Sequence, residues 1–474
     1  MNYKKRVCIL GAVIFFITAI FSKGYHHFDE HFQILEFVAL KLNLNTTGNM
    51  PWEYFTKMRS AVQPLIVFVL YKSLAVFGEV NPFFLTTLTR ILSATLSFTA
   101  FFFLFKQFEQ DVKSQKLKAL VICFSFFTWF IVYDAVRFSS ENWSGNFFLL
   151  GLCFACNEKG KGWKNYLISG LLFGFSFLFR FQSAFLIAGL FLWMVFIKRE
   201  KMLRLAVLLA AILSVLVIGV IIDHWFYDEW FFSAWNYFDQ NILQNKAANF
   251  GVFPWWYYLQ QVFYNAVPIF GLVFILSFLL LFIFYPKHVF TFSLVPFLLA
   301  HFITGHKELR FLFPVLGFLP FAMTMSADAI AAKFSSSILS KVGSAFLILF
   351  WLINIPLLII VMFRPADNLI PLYEKVYSYN SPVTIYCIDE NPYHRVLDIH
   401  FYRRGNVEAV KAESLSNIQN KSGTKTLLAL SNNEIPSPTE WKLVYSGLPQ
   451  WMKQFNFNNW QERTKFWRLY EMKE

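Results

Sequence analysis

The chain has 474 residues, of which 57% are hydrophobic and only 15% charged, a composition that excludes an ordinary soluble domain. Charge-free apolar runs such as 205–222 and 345–363 are long enough to cross a bilayer, and lipid requires them to be helices. The net charge of +13 would also suit a nucleic-acid-binding protein, but the cytoplasmic loops of membrane proteins collect lysine and arginine in any case. The five cysteines are scattered, so their spacing predicts neither a disulfide framework nor a zinc site.

The N-terminus resembles a signal peptide, because Lys4, Lys5 and Arg6 precede an apolar stretch at 7–21. No small-residue cleavage site follows this stretch. We therefore predict an uncleaved first span with a cytoplasmic N-terminus.

The charge distribution predicts the topology of the apolar segments. The segment 60–78 is the least lipid-like, because it contains Gln63, Pro64, Lys72 and Ser73. If it lies along the interface as an amphipathic helix, every basic loop falls on the cytoplasmic side, as the positive-inside rule requires. About eleven spans then result by the length criterion. The basic loops concerned are 106–118, 159–164, 198–204, 287 and 333–341.

The remaining loops and the tail then lie on the outer side. After residue 363 the apolar runs stop, and we predict strands at 383–388 and 426–430 and a helix at 409–417. The sequence thus predicts an all-α polytopic membrane region at 1–363, whose first outer loop is 23–82, and a small α/β domain at 364–474.

The first outer loop carries a dense polar cluster directly after the first span. Its members are His26, His27, Asp29, Glu30 and His31. A carboxylate at this interface can remove a proton from a sugar hydroxyl. The alternatives are a solvated helix start, where the helix dipole favours acidic side chains, and a site for a divalent metal.

The same loop continues with Gln33 and Glu36 and then with Trp52, Glu53 and Arg59. The long outer loop 223–265 adds a second polar and aromatic group, composed of Asp223, Asn236, Trp255 and Trp256. Tryptophan gathers at membrane interfaces by default, which is one interpretation. The other is a cleft in which rings stack on sugars and amides bind hydroxyl groups.

A third polar group lies in the outer loop 306–311, at His306, Lys307, Glu308 and Arg310. Cations at a lipid interface can hold a lipid phosphate and stabilise it as it leaves. Structural ion pairs are the alternative, since they are common inside membrane helix bundles. The same face carries three further charges, at Arg137, Glu141 and Arg180.

Together these motifs resemble glycosyltransferase family 22, the mannosyltransferases that use a lipid-phosphate mannose in glycosylphosphatidylinositol-anchor and N-glycan pathways. The family pattern His-Pro-Asp-Glu-x-x-Gln-x-x-Glu is similar to 27–36, except that Phe28 replaces the proline. The family's Trp-Glu stretch is similar to 52–60, its aromatic loop to 223–258, and its His-Lys-Glu-x-Arg-Phe motif to 306–311. The resemblance runs from about residue 1 to 330.

The resemblance implies a GT-C fold with interfacial helices in the first loop. It also implies an inverting transfer of mannose from a polyprenyl or dolichyl phosphate to a lipid-linked glycan or other acceptor. Asp29 is the expected base and Glu30 the alternate, and no cofactor is expected. The expected donor-phosphate ligands are His306, Lys307, Arg310 and Arg180. The expected acceptor or sugar ligands are His27, Gln33, Glu36, Trp52, Glu53, Arg59, Asp223, Asn236, Trp255, Trp256 and Glu308.

Two rival functions differ in where polar residues should lie. A transporter or flippase would place them near the bilayer midplane in paired halves. Here they lie at one face, and the sequence shows no internal repeat. A GT-C enzyme that moves another lipid-linked sugar is the second rival. We expect an extracytoplasmic or lumenal active site, in a bacterial inner membrane rather than the endoplasmic reticulum.

Overall fold

A computed structural model describes residues 3–157, 162–334, 337–420, 423–431, 436–437, 439–448, 454 and 466–473. Lys159 and Lys161, predicted in a cytoplasmic loop, lie outside these described residues. The chain is mostly helical and carries one small sheet, which confirms the predicted helical membrane region followed by strands.

The α-helices follow one another through most of the chain. They are α1 Tyr3–Phe21, α2 Phe28–Glu30, α3 Glu36–Lys41, α4 Trp52–Phe55, α5 Val62–Ala75, α6 Pro82–Phe108, α7 Gln115–Phe127, α8 Trp129–Ala135, α9 Ser140–Cys156, α10 Trp163–Phe179, α11 Ala184–Phe196, α12 Met202–Tyr227, α13 Ser233–Phe238, α14 Tyr257–Asn265, α15 Pro268–Phe284, α16 Val289–Ile303, α17 Leu319–Lys333, α18 Ser337–Phe363 and α19 Ile370–Tyr377. Short 3-10 or π-helical turns lie between them, of which Leu309–Phe318 is the longest described.

Within the described residues, four helices are both long and apolar enough to cross a membrane. They are Pro82–Asp111, Met202–Tyr227, Leu309–Lys333 and Ser337–Phe363. The pair α7 and α8, bent by 52° at its break, adds a fifth if it is one span. Several shorter apolar helices lie between these. By length and composition the chain is an integral membrane protein.

Helix α5 lies in the segment 60–78 that the charges excluded from crossing. It has 14 residues, from Val62 to Ala75. At about 1.5 Å per residue such a helix is shorter than a hydrocarbon core of about 30 Å. Other described apolar helices, such as α11 with 13 residues and α16 with 15, are similarly short, so the interfacial position of α5 stays a prediction from the charges.

The chain forms two compact units, of which the first contains most of the apolar helices. This unit comprises Met1–Ser22, Thr56–Ile66 and Thr87–Arg364. In it, α9 packs against α10 on one side and against the Leu309–Phe318 turn on another. Gly145 permits the second contact, because a Cβ there would lie 2.6 Å from the carbonyl oxygen of Pro314. This close approach places Glu141 and Arg310 within reach of each other.

The second unit comprises Lys23–Phe55, Val67–Thr86 and Pro365–Glu474. This grouping differs from a linear division at residue 363, because the segment 23–55 folds with the tail. Its sheet has five strands in the order β2-β1-β3-β5-β4. The strands are β1 Val383–Cys387, β2 Val407–Lys411, β3 Lys425–Leu430, β4 Trp441–Ser446 and β5 Arg468–Met472. Strands β2, β1 and β3 are parallel, and β5 and β4 are antiparallel additions.

The sheet confirms two of the tail predictions and corrects the third. Strands β1 and β3 lie where strands were expected. The predicted helix at 409–417 is wrong, because Val407–Lys411 is a strand that pairs with β1 from Val383 to Cys387. Glu408, Ala409 and Lys411 favour helix or disfavour strand, but pairing with a buried strand outweighs such weak local preferences.

The close contact at Gly145 yields a stability prediction. Gly145→Ala should lower the melting temperature of the purified protein, because the new methyl group must push α9 away from Pro314. Overpacking of this kind costs about 1–3 kcal/mol. The matched control is Gly343→Ala in α18, where an added Cβ meets nothing within 4 Å. The control should be neutral or slightly stabilising, and equal melting temperatures for the two variants would contradict the packing argument.

Candidate active site

The first-loop carboxylates lie at the N-terminus of α2, where they have different partners. His27 is the N-cap residue, and its Nδ1 accepts a hydrogen bond from the Asp29 backbone N–H at 3.2 Å. The Glu30 Oε1 atom accepts from the backbone N–H groups of His26 and His27, at 3.1 and 3.2 Å. Glu30 thus completes a capping box, a role that stabilises the turn.

Asp29 is placed differently from Glu30. Its Oδ1 lies 3.5 Å from Nδ1 of His27, and 26% of its side chain is exposed. The Glu30 carboxylate is held against the backbone by the cap. The cap thus gives Glu30 a structural role, and Asp29 stays the predicted base.

Glu36 is fully buried at 0% exposure, and its two oxygens bind groups of the protein. Its Oε1 lies 2.9 Å from Nε2 of His31 and accepts from the backbone N–H groups of His400 and Phe401. Its Oε2 accepts from Asn45 at 2.8 Å. These bonds join the first loop to the tail within the second unit. Glu36, expected to bind acceptor, is placed as a structural carboxylate.

Two of the remaining first-loop candidates, Gln33 and Glu53, contact each other. Gln33 donates from Nε2 to Glu53 Oε1 at 2.9 Å, and Glu53 is buried. Trp52 begins the short helix α4 and is half-buried. The His31 ring lies beside Glu36 and stacks on the Tyr402 ring, with 5.5 Å between the ring centres.

In the part of the chain that the structure describes, no three His, Cys, Asp or Glu residues are grouped so that they can hold a metal ion.

In the first unit, Asp223 holds the segment that follows Arg59. Its Oδ1 accepts from the Ala61 backbone N–H at 2.7 Å and from Ser60 at 3.2 Å, and its Oδ2 accepts from Ser233 at 2.7 Å. The side chain is almost completely buried. The Asp223 carboxylate, expected to bind a sugar, is therefore bonded on both oxygens by the protein.

The long outer loop holds the neighbouring residues 57–59 in the same way. Asn236 donates to the carbonyl of Lys57 at 3.3 Å, and the Arg59 guanidinium lies 5.7 Å from the centre of the Tyr237 ring. Trp255 and Trp256 differ from these residues, because 63% and 46% of their surfaces are exposed. Exposed rings can stack on a sugar or enter the lipid interface.

A buried charge network surrounds Glu141 at the start of α9. Its Oε1 accepts from Nη1 of Arg180 at 2.8 Å and from Nη1 of Arg310 at 3.2 Å. Both guanidinium groups also lie over the ring of Phe311, at 4.7 and 5.3 Å from its centre. The structure thus brings Arg180 beside the 306–311 loop, as the phosphate-binding hypothesis requires.

Glu308 extends this network to His306. Its Oε2 accepts from Nε of Arg310 at 2.6 Å, and its Oε1 lies 3.0 Å from Nε2 of His306. The other ring nitrogen of His306 lies 3.1 Å from the carbonyl oxygen of Gly251. Both partners can act as acceptors, so the two contacts favour a proton on each ring nitrogen. The hydrogen bond to Glu308 accordingly raises the pKa of His306.

Lys307 adds a buried cation at 2% exposure. Its ammonium group donates to the carbonyl of Phe253 at 3.2 Å and to that of Thr304. Burial lowers the pKa of Lys307 because the interior disfavours the charged form. Neutral carbonyls supply hydrogen bonds but no countercharge.

The described groups here include more cationic side chains than carboxylates. Arg180, Arg310 and His306 contact the two carboxylates, Lys307 contacts only carbonyl oxygens, and a bound anion would suit the surplus of donors among these groups. The cations are Arg180, His306, Lys307 and Arg310, and the carboxylates are Glu141 and Glu308. An anion with several acceptor oxygens, such as a phosphate, suits these donors.

Sequence reasoning missed some of the groups that shape these clusters. The Gly251 and Phe253 carbonyls, which orient His306 and Lys307, are backbone atoms that no sequence motif marks. Asp367 and Arg395, which lie beside the first loop in the second unit, are isolated polar residues in the tail. Only their charge could have marked these two residues as candidates, and they lie in a segment for which the sequence predicted no chemistry.

The architecture is that of a GT-C-type membrane protein. The structure resembles the crystal structure of ArnT from Cupriavidus metallidurans bound to undecaprenyl phosphate, with a TM-score of 0.50 over 98% of this chain and 97% of that chain. The two sequences are 11% identical, so this likeness concerns the fold alone.

The chain belongs to the Alg9-like mannosyltransferase family, whose sequence profile matches residues 7–405. The resemblance to mannosyltransferases is thereby confirmed, and its extent is corrected, because the match continues past residue 330 into the second unit. The match therefore includes Asp367 and Arg395.

Curated relatives are similar to a large part of this chain. GPI alpha-1,2-mannosyltransferase 3 of Mus musculus is 27% identical over 332 residues, which are 67% of this chain and 58% of that protein. GPI mannosyltransferase 3 of Candida albicans is 26% identical over 289 residues, 60% of this chain and 56% of that protein. The chain thus spans little more than half the length of these relatives.

Proposed function

We propose that this protein is an inverting glycosyltransferase that moves a mannose-type sugar from a polyprenyl or dolichyl phosphate to an acceptor hydroxyl, as on a lipid-linked glycan. The observation that carries the proposal is the meeting of Arg180 and Arg310 at Glu141, together with the buried Lys307 of the same 306–311 loop. The family and the relatives' names support mannose as the sugar. The lipid phosphate bound to ArnT supports a polyprenyl-phosphate donor.

In the proposed reaction, the acceptor oxygen attacks the anomeric carbon of the donor sugar. Asp29 takes the hydroxyl proton as the new carbon–oxygen bond forms. The bond between the anomeric carbon and the phosphate oxygen breaks at the same time, and its electron pair leaves with the lipid phosphate. A single displacement inverts the anomeric centre. The leaving group departs as a stable anion, so the reaction needs one carboxylate rather than the pair used in glycoside hydrolysis.

The cationic network supplies the second requirement of the reaction, which is stabilisation of the leaving phosphate. Glu141, Phe311 and backbone carbonyls hold the side chains of Arg180, Arg310 and Lys307. Donors fixed in this way stabilise developing charge without reorganisation. His306 adds a further proton donor as an imidazolium, and Glu308 orients it.

The other candidates divide into two groups under this proposal. Glu36, Glu53 and Asp223 act as positioning residues, because each buried carboxylate holds neighbouring groups of its own unit. The second group is proposed to contact sugar or acceptor. Its members are His27, Gln33, Trp52, Arg59, Asn236, Trp255 and Trp256.

The finer topology also belongs to the proposal. We infer about eleven spans, with the short apolar helices counted as crossings and α5 at the interface. The polar motifs then face the extracytoplasmic or lumenal side, where the lipid-borne donor presents its sugar. A bacterial inner membrane is our preferred location, and the endoplasmic reticulum is the alternative.

Asp29→Asn is the direct test of the base. It keeps the shape of the side chain and should lower the transfer rate about a hundredfold or more, with donor binding largely kept. The matched variant is Glu30→Gln, whose amide oxygen can still accept from the His26 and His27 N–H groups and preserve the cap. Glu30→Gln should lower the transfer rate much less than Asp29→Asn does. Transfer is measured with labelled polyprenyl-phosphate mannose and a membrane lipid extract.

Two outcomes would contradict this assignment. Normal transfer by Asp29→Asn together with an inactive Glu30→Gln would reverse the two roles. Normal transfer by both variants would show that the first loop is not the catalytic centre.

Lys307→Met tests the phosphate site, since it keeps the apolar stem and removes the charge. Loss of one preorganised donor should lower kcat/KM for the lipid-phosphate donor about a hundredfold. The matched control is Lys118→Met, which removes another buried lysine that donates to a neutral oxygen, that of Gln110 at 3.0 Å. Equal kinetics for both variants would assign Lys307 to structure alone.

Cysteine labelling tests the sidedness. Single cysteines at Lys116 and Lys287 should react only from the cytoplasm, and those at Asn249 and Ser416 only from the opposite side. All four positions are exposed, so access through the protein does not limit the reaction. Cytoplasmic labelling at Ser416 would overturn the eleven-span topology and require a crossing at 60–78.

A further inference from the structure

The second unit contains a cavity of about 330 Å³ beside the catalytic loop. His27 and Phe28 line it from the first loop, and Asp367, Asn368, Arg395 and Trp467 line it from the tail. Its volume lies at the lower end of the range for small-molecule sites, about 300–1,000 Å³. The tail residues that line the cavity belong to none of the sequence motifs described above.

The first loop and the tail are joined rigidly at this cavity. The backbone N–H of Ala366 donates to the carbonyl of Lys23 at 2.7 Å. Gly24 has a φ of +97°, and a Cβ there would lie 2.9 Å from both the backbone nitrogen and the Cβ of Asp367. The chain therefore passes Asp367 at a distance that only glycine allows, and the cavity wall is preorganised.

The polar groups of the cavity include an arginine and a carboxylate that balance each other. Nη2 of Arg395 lies 3.9 Å from Oδ2 of Asp367, and its guanidinium lies 4.9 Å from the centre of the Phe28 ring. The other Asp367 oxygen accepts from the Leu369 backbone N–H at 2.8 Å. Asn368 adds an amide and Trp467 an indole. Paired opposite charges with an aromatic wall suit a neutral polyhydroxyl ligand better than an anion.

We propose that this cavity binds the terminal sugar of the acceptor, an inference that rests on the proposed transferase function. The sugar hydroxyls bond to Arg395, Asp367 and Asn368, and one face of the ring packs on Trp467. His27 lines the cavity, and its Nδ1 lies 3.5 Å from the Asp29 carboxylate. A sugar held there presents a hydroxyl beside the proposed base. The tail unit is thus the part of the chain that recognises the acceptor.

Phe28 is the positioning residue of this site. It stands at the first position of α2, where the resembling family pattern has proline and where helices accept proline readily. The ring holds the Arg395 guanidinium through a cation–π contact, which a proline cannot provide. The departure from the family pattern therefore has a function, which is to orient Arg395.

Binding can be measured without turnover. The full chain in lipid nanodiscs is probed by saturation-transfer NMR with methyl α-mannopyranoside and, separately, with inorganic phosphate. The wild type and Asp29→Asn should both give transfer to the mannoside, and Arg395→Gln should lose it. The matched control is Arg404→Gln, since Arg404 also pairs with a carboxylate, Glu79 at 3.2 Å, and lies over an aromatic ring, that of Tyr377 at 4.1 Å.

Kinetics separate recognition from chemistry. Arg395→Gln and Phe28→Pro should raise the KM for the lipid acceptor about tenfold or more, as expected for a lost or misplaced charged hydrogen bond, with kcat and donor KM nearly unchanged. Phe28→Leu should behave as Phe28→Pro does, while Arg404→Gln should match the wild type.

Three results would overturn the inference. They are a wild type that gives no signal with the mannoside, an Arg395→Gln variant with unchanged acceptor KM and binding, and a cavity that binds phosphate in place of the mannoside. Failure of the transferase proposal would give a different result. The wild type would still bind the mannoside and Arg395→Gln would not, but neither the wild type nor any variant would transfer sugar.

Discussion

The second unit depends on one buried carboxylate, that of Glu36. A charge with 0% exposure is tolerated only if donors replace the water it has lost, and here His31, Asn45 and two backbone N–H groups at 400–401 do so. Those donors come from the first loop and from the tail. Because the carboxylate needs all of them, it fixes the first loop against the tail, and with it the capped turn at Asp29 and the cavity beside Arg395.

The same principle organises the first unit around Glu141. This buried carboxylate receives Arg180 and Arg310, which share the Phe311 ring, and Glu308 links Arg310 to His306. Buried ion pairs contribute little net stability, because desolvation offsets most of the attraction. Their value here lies in orientation. They hold the Arg180 and Arg310 guanidinium groups together at one carboxylate.

The carboxylates of the motifs therefore divide by role according to their partners. Glu30 caps a helix, Glu36 joins two segments, Asp223 holds residues 60–61, and Glu308 orients His306 and Arg310. Asp29 differs in role, because it is the proposed base, and its partly exposed carboxylate lies beside the His27 ring. The five acidic residues named here thus comprise one proposed base and four residues that hold neighbouring groups in position.

Local sequence patterns were sufficient for the membrane class, the polar motifs, the family resemblance and strands β1 and β3, since each depends on composition or spacing over a few residues. They failed at 407–411, where pairing with a buried strand decided the conformation. They also could not reveal that Glu30 caps α2, because a helix cap is a property of backbone geometry. The cavity wall at Asp367, Arg395 and Trp467 lies more than 300 residues along the chain from Phe28. Only folding brings such residues together, since buried charges and close backbone contacts are satisfied by partners that no local pattern encodes.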